Sequence, residues 1–134
     1  MNNRHLYKAH GIGNEEWIYG YYYVTWTGQE HQHLIVDDYS KAEILPETLC
    51  HCTAASDMDS ALIFENDIVS IIFGKNVGEN FRANYKVVWD SDMAAFALEK
   101  GGKLLNFMHV TQNKECCKII GNAFDNPELL KSLM

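Results

Sequence analysis

Four cysteines and six histidines are the residues of this 134-residue chain best suited to metal or nucleophilic chemistry. The cysteines fall in two tight clusters, Cys50-His51-Cys52 and Cys116-Cys117, and His31 and His33 flank Gln32. A structural zinc site wants cysteine pairs two to four residues apart, so that two thiolates reach one tetrahedral ion without straining the backbone. Cys-x-Cys and adjacent cysteines are poor knuckles, and buried small thiols are expected instead. His31 and His33 share one strand face and would chelate a metal only if a third ligand converged. Asp57-Met58-Asp59 opens like a calcium loop, which then needs an oxygen ligand at Ala61, glycine at Leu62 and glutamate at Ile68. All three positions fail. Gly11-Ile12-Gly13 lacks a third glycine at the right distance and follows no expected strand, so it is a loop. Neither a Gly-x-Ser-x-Gly elbow nor a phosphate loop occurs. The sequence therefore assigns no catalytic, cofactor-binding or metal residue, and no cofactor is expected.

What remains is contact chemistry, concentrated in Trp17-Ile18-Tyr19-Gly20-Tyr21-Tyr22-Tyr23-Val24-Thr25-Trp26. Tyrosine and tryptophan bring large contact area at little rotamer cost, which suits interfaces. The plainer alternative is that these rings simply make a core. Aromatic and β-branched residues this dense favour a strand. Gly28-Gln29 then reads as a type II′ hairpin turn into a second strand over residues 31–36. That turn sets a register: Trp26 opposite His31, Val24 opposite His33 and Tyr22 opposite Ile35 on one face. On the other face Tyr23 meets Leu34 and Tyr21 meets Val36. Both faces are apolar enough to need covering.

Further along, Leu45-Pro46-Glu47-Thr48-Leu49 reads as a turn or short extended segment, because proline is excluded from central strands. Residues 53–60 are small and polar, a loop and a joint between two lobes. Beyond it, short strands alternate with turns: residues 62–64, 68–73, 84–89, 93–99 (where the alanines leave a helix as the alternative), 104–108 and 116–121, with a loop at 74–78 and a Gly101-Gly102 hairpin. Strands this short at this spacing favour a small barrel. Asn126-Pro127 starts a helix whose Leu129, Leu130 and Leu133 form an apolar face. At about two turns it must dock to be stable.

Composition narrows the function classes. Charged residues make up 22% and apolar ones 47%, as in an ordinary single globular domain. The net charge of −7, with basic residues scattered, argues against gripping nucleic acid. The opening residues carry no secretory signal, no stretch reaches the roughly 20 apolar residues of a membrane span, and clustered cysteines suggest reduced thiols. A cytoplasmic protein without a membrane partner is expected.

Four segments, in order, resemble the YopX-like proteins of phages and prophages. Trp17-Ile18-Tyr19-Gly20-Tyr21-Tyr22 is similar to the family's tryptophan-x-tyrosine-glycine opening, and Pro46-Glu47-Thr48-Leu49 to a segment before its central loop. Ile63-Phe64-Glu65-Asn66-Asp67-Ile68-Val69 resembles its most recognisable motif, which usually has glycine at Asn66. Ile120-Gly121-Asn122-Ala123-Phe124-Asp125-Asn126-Pro127-Glu128-Leu129-Leu130 resembles its ending. Glycines are expected where Ala54 and Ser60 stand, so the 53–60 loop is expected to leave the family path. The resemblance implies a mainly β fold, coiled antiparallel β-sheets with a C-terminal SH3-like barrel and a short C-terminal helix. It implies no enzyme activity and transfers no catalytic residue.

Together these readings predict one YopX-like domain, with a hairpin lobe at residues 1–56 and a barrel lobe with the terminal helix at 57–134. The expected role is a non-catalytic interaction or self-assembling module of a phage or prophage. Its partners would be its own copies in a homo-oligomer, or a host or phage protein. Tyr21, Tyr22, Tyr23, Trp26, His33 and Leu34 form the candidate interface. A nucleic-acid-binding SH3-like barrel is the first alternative, and a small enzyme built from spatially convergent groups is the second.

Overall fold

Alternating and β-branched stretches make this chain mainly β, in antiparallel sheets with little helix. The structure, a computed structural model, describes residues 3–13, 16–73 and 81–133; the loop expected at 74–78 lies outside them. The chain divides into two compact units, Met1–Cys52 and Thr53–Met134.

In the first unit, β1 (Tyr7–His10), β2 (Trp17–Thr27), β3 (Glu30–Val36), β4 (Lys41–Glu43) and the start of β5 (Cys50–Ser56) lie in the order β4-β3-β2-β1-β5. The hairpin register is as expected, from Tyr21↔Val36 through Trp26↔His31, with Gly28 at φ 67° in the tight turn. Ala9, Ile35 and Ile44 are buried at the base, with Tyr7, Ile18, Tyr22 and Leu49 packed around them. Gly20 explains its place in the aromatic run: a Cβ there would drive into the carbonyl of Val36. The proline segment is a 3-10 turn, Pro46–Thr48, in which the Thr48 hydroxyl donates to Leu45 O and accepts from the His10 N–H.

The Cys50-His51-Cys52 cluster is a piece of strand. Cys50 and Cys52 are buried on one side and His51 faces the other, the ordinary period of two. Residues 53–56, expected as loop, continue β5, and only residues 57–60 turn. Ala54 and Ser60 hold φ 68° and 65°, the conformation the expected glycines would adopt. Each side chain therefore sits in backbone geometry that normally disfavours it.

In the second unit, β6 (Leu62–Phe64) turns at Glu65-Asn66 into β7 (Asp67–Phe73). Then come β8 (Phe81–Asp90), β9 (Ala95–Lys100), β10 (Lys103–Asn106), the one-turn helix α1 (Met108–Thr111) and β11 (Cys117–Asn122). The sheet order is β10-β9-β8-β7-β11 around a core of Ile63, Val69, Ile71, Val87, Leu98, Val110 and Cys117. Closure would require β10 to pair with β11, and the order ends at both. β10 is four residues long and the chain leaves it into α1. The expected closed SH3-like barrel is therefore not shown. Met93 also falls in a turn rather than a strand, since Ala94 at φ 51° breaks the extended backbone before β9. The terminal helix is a 3-10 helix, Pro127–Leu133, packed against β8 with Leu133 buried.

Two of the segments that carry the family resemblance are bonded to each other. Asn66, at φ 72°, donates its N–H to Val87 O and accepts at its carbonyl from Ala123 N. Asp67 takes the Phe64 N–H at 2.8 Å and pairs with Asn122 across β7 and β11. The Asn122 side chain accepts from Phe124 N and Asp125 N, while Asn126 Oδ1 accepts from Asn122 N. Gly121 leaves room for that Asn126 side chain, which a Cβ would meet.

Candidate interaction site

The β2–β3 hairpin positions most of the candidate residues. β1 accompanies β2 only as far as Gly20, and β4 accompanies β3 only from Leu34 onward. Residues 24–33 thus form a two-stranded ribbon with no flanking strand among the described residues. Leu34 is buried within its own chain, and Tyr21, Tyr22, Tyr23 and His33 are half-buried. Trp26 near the tip is 67% exposed, and Val24 and Tyr19 are also exposed. The most exposed ring of the hairpin therefore lies on the Trp26 face, while Leu34 on the other face is covered.

That face carries a row of rings. Trp26 lies 3.5 Å from His31 between ring centroids, His31 6.4 Å from His33, and His33 5.9 Å from Tyr22 in near-parallel planes. Tyr22 is 5.7 Å from Tyr7, which stacks on His51 at 4.5 Å and 10°. Two hydrogen bonds hold the inner part of the row, at Tyr22, His33 and His51. The Tyr22 hydroxyl and His33 Nδ1 share one of 2.6 Å, and His51 Nε2 meets the Arg4 carbonyl at 2.6 Å. A carbonyl only accepts, so His51 carries its proton on Nε2. Rings fixed this way lose little freedom when a partner covers them.

Tyr7 and His51 were invisible to sequence reasoning because β1 is only four residues long and both β1 and β5 carry lysine, histidine, cysteine or alanine in place of strand-forming residues. Their period of two was the available signal. The same applies to Lys8, buried with its Nζ 4.6 Å from the Trp17 ring centroid, and to His10, whose ring is 4.1 Å from Trp17.

The remaining chemical candidates take structural places. No group of three or more His, Cys, Asp or Glu side chains among the described residues is arranged to hold a metal ion. Cys50 Sγ donates to Thr48 O. Cys117 lies in the core of the second unit, where burial, then Asp57 and Cys116, push its thiol up to about 12. Asp57 fastens the turn at 57–60. Its carboxylate accepts from Asp59 N at 2.9 Å, Ala61 N at 3.0 Å and Ile119 N at 3.0 Å. Burial acts to raise its pKa, but the three backbone donors and Lys118 outweigh it and hold the carboxyl below its ordinary value. A concavity of about 470 Å³ in the same unit is lined by Ile71, Phe73, His109, Gln112, Asn113 and Cys116. The His109 ring there stands edge-on to Phe73.

Comparison with known proteins agrees with this fold. A family model described as YopX protein matches residues 7–131. The crystal structure of protein EF1440 from Enterococcus faecalis is similar with a TM-score of 0.53 at 16% identity, covering 92% of this chain and 96% of that one. At that identity the likeness speaks to the fold alone. No curated protein matches the chain.

Proposed function

The chain belongs to the YopX family, and from that premise we propose that it is a non-catalytic interaction module that assembles with its own copies through the β2–β3 ribbon. The observation that carries this is the exposed Trp26 at the head of an aromatic row, on a ribbon that no other strand among the described residues flanks. A lone two-stranded ribbon is marginal in water, and buried aromatic anchors are where binding energy concentrates. Closed homo-oligomers are also the commonest assemblies. In this reading the protein is encoded by a phage or prophage and works in the cytoplasm of the bacterial host, on itself or on a host or phage protein. Nucleic acid is the weaker alternative, because a chain of net charge −7 lacks the cationic excess that phosphate binding draws on.

Light scattering on the purified chain at tens of micromolar tests the proposal. An oligomer is expected, and Trp26→Ser is expected to weaken it at least about tenfold, the effect of losing about 1.4 kcal/mol. A monomeric parent chain would end it.

A further inference from the structure

Resting on that self-association, we infer that two copies join by antiparallel pairing of their β2 edges over residues 24–26, extending the ribbon into a four-stranded sheet. The direction of the backbone groups leads there. Ile44 N–H donates to His33 O, so the His33 carbonyl points away from β2. In an antiparallel pair the two groups of one residue point the same way, so His33 and its partner Val24 form a non-hydrogen-bonded pair. Val24 and Trp26 therefore turn their N–H and C=O outward, to the side on which Glu16 O accepts from Gly11 N. No strand takes up that side of residues 24–27 among the described residues.

Open edges are normally blunted by lysine, proline, bulges or short length. β4 carries Lys41 and Glu43, β10 carries Lys103 and β11 carries Lys118, and the outer part of β3 carries Glu30. β2 has none of these over its 11 residues: no charge, no proline and an unbroken register with β3. β6, at the far end of the sheet order, is also uncharged but is only three residues long. For a chain of net charge −7, β2 is thus a long edge at which a second copy meets little repulsion.

A two-fold axis at Thr25 places Val24 opposite Trp26 of the second copy, and Trp26 opposite its Val24. Both are then hydrogen-bonded pairs, and the exposed indole gains a neighbour on each copy's ring-bearing face. Thr25 faces Thr25 of the second copy in a non-hydrogen-bonded pair, with Cα atoms about 4.5 Å apart. That is within the range of about 4.4–6.8 Å that a disulfide spans.

The test is site-specific cross-linking in a Cys116→Ser background, with light scattering on the same samples. Thr25→Cys should oxidise mostly to a linked dimer, whereas Gln32→Cys, its neighbour on β3, should stay largely unlinked. Preferential linking through Gln32→Cys, or equal linking of the two, overturns the β2 edge. So does a dimer by scattering that neither variant traps, which leaves self-association standing. A monomeric parent overturns both. As a second variant, Val24→Pro removes only an outward N–H, so it should keep the strand signal in circular dichroism while abolishing the dimer. A folded Val24→Pro that still dimerises sinks the inference.

Discussion

Asn66 at φ 72° is the residue whose sequence signal and geometry agree most directly. Asparagine tolerates the left-handed region because its short polar side chain can bond locally, and a β-branched residue has no such relief. Asn66→Gly should be neutral or mildly stabilising, and Asn66→Val should cost about 1–2 kcal/mol in a thermal melt. Ala54 at φ 68° has no polar side chain to compensate, so Ala54→Gly should raise stability by up to about 1 kcal/mol. A melting temperature that falls would show that contacts of the Ala54 methyl outweigh the relief. Asp57 gives a pH-dependent prediction. Its folded pKa lies below the ordinary 3.8, so the stability it adds is present above that value. That stability is lost as pH falls from there through the lower folded value. Asp57→Asn cannot accept from Ala61, Asp59 and Ile119 together, because one end of the amide donates. The substitution should cost about 2–3 kcal/mol at neutral pH. Melts from pH 6 downward, about where that carboxylate is fully charged, should show a smaller acid-induced loss in Asp57→Asn than in the parent.

At the scale of elements, the hairpin and the turns were legible and several strands were not. The β2–β3 register followed from a two-residue glycine turn and a period of two, both local rules. β1 and β4 are four and three residues long, and they are strands because longer neighbours recruit them. The same recruitment makes residues 53–56 strand, although their composition reads as loop. Gly20 marks a point where the Val36 carbonyl of β3 leaves no room for a Cβ on β2. Gly20→Ala should cost about 1–3 kcal/mol, the range for forcing atoms into a packed site. Since a backbone carbonyl is the obstacle, no rotamer change relieves it. A denaturant midpoint equal to the parent's would mean that β3 shifts freely at Val36. In the final segment the three leucines suited an α-helix, but a 3-10 helix also stacks residues three apart, and Leu130 and Leu133 accept that spacing.

At the scale of the whole molecule, self-association links stability to concentration. If copies bind only when folded, the melting temperature must rise as the chain is concentrated. At a partner concentration a hundredfold above the dissociation constant, the added stability is about 2.7 kcal/mol. Calorimetry over a concentration series should therefore show a rising midpoint for the parent, and for Trp26→Ser a rise that sets in only at about tenfold or more higher concentration. A flat parent would contradict the proposed assembly. The segments that resemble the family mostly build the fold, as the bonded Asn66 and Ala123 illustrate. Family membership thus predicts architecture far better than activity. Composition, turn chemistry and the period of two determined from sequence alone that the chain is mainly β, where its main hairpin turns, and which residues face each other across it. These depend on neighbours in the chain. Tertiary structure alone decided that β10 and β11 do not pair, that Tyr7 and His51 extend the hairpin's row of Trp26, His31, His33 and Tyr22, and that Leu34 is buried while Trp26 is not. Each of those outcomes depends on which distant strand lies alongside, and residues such as Tyr7 and His51, 44 positions apart, carry no local mark of meeting.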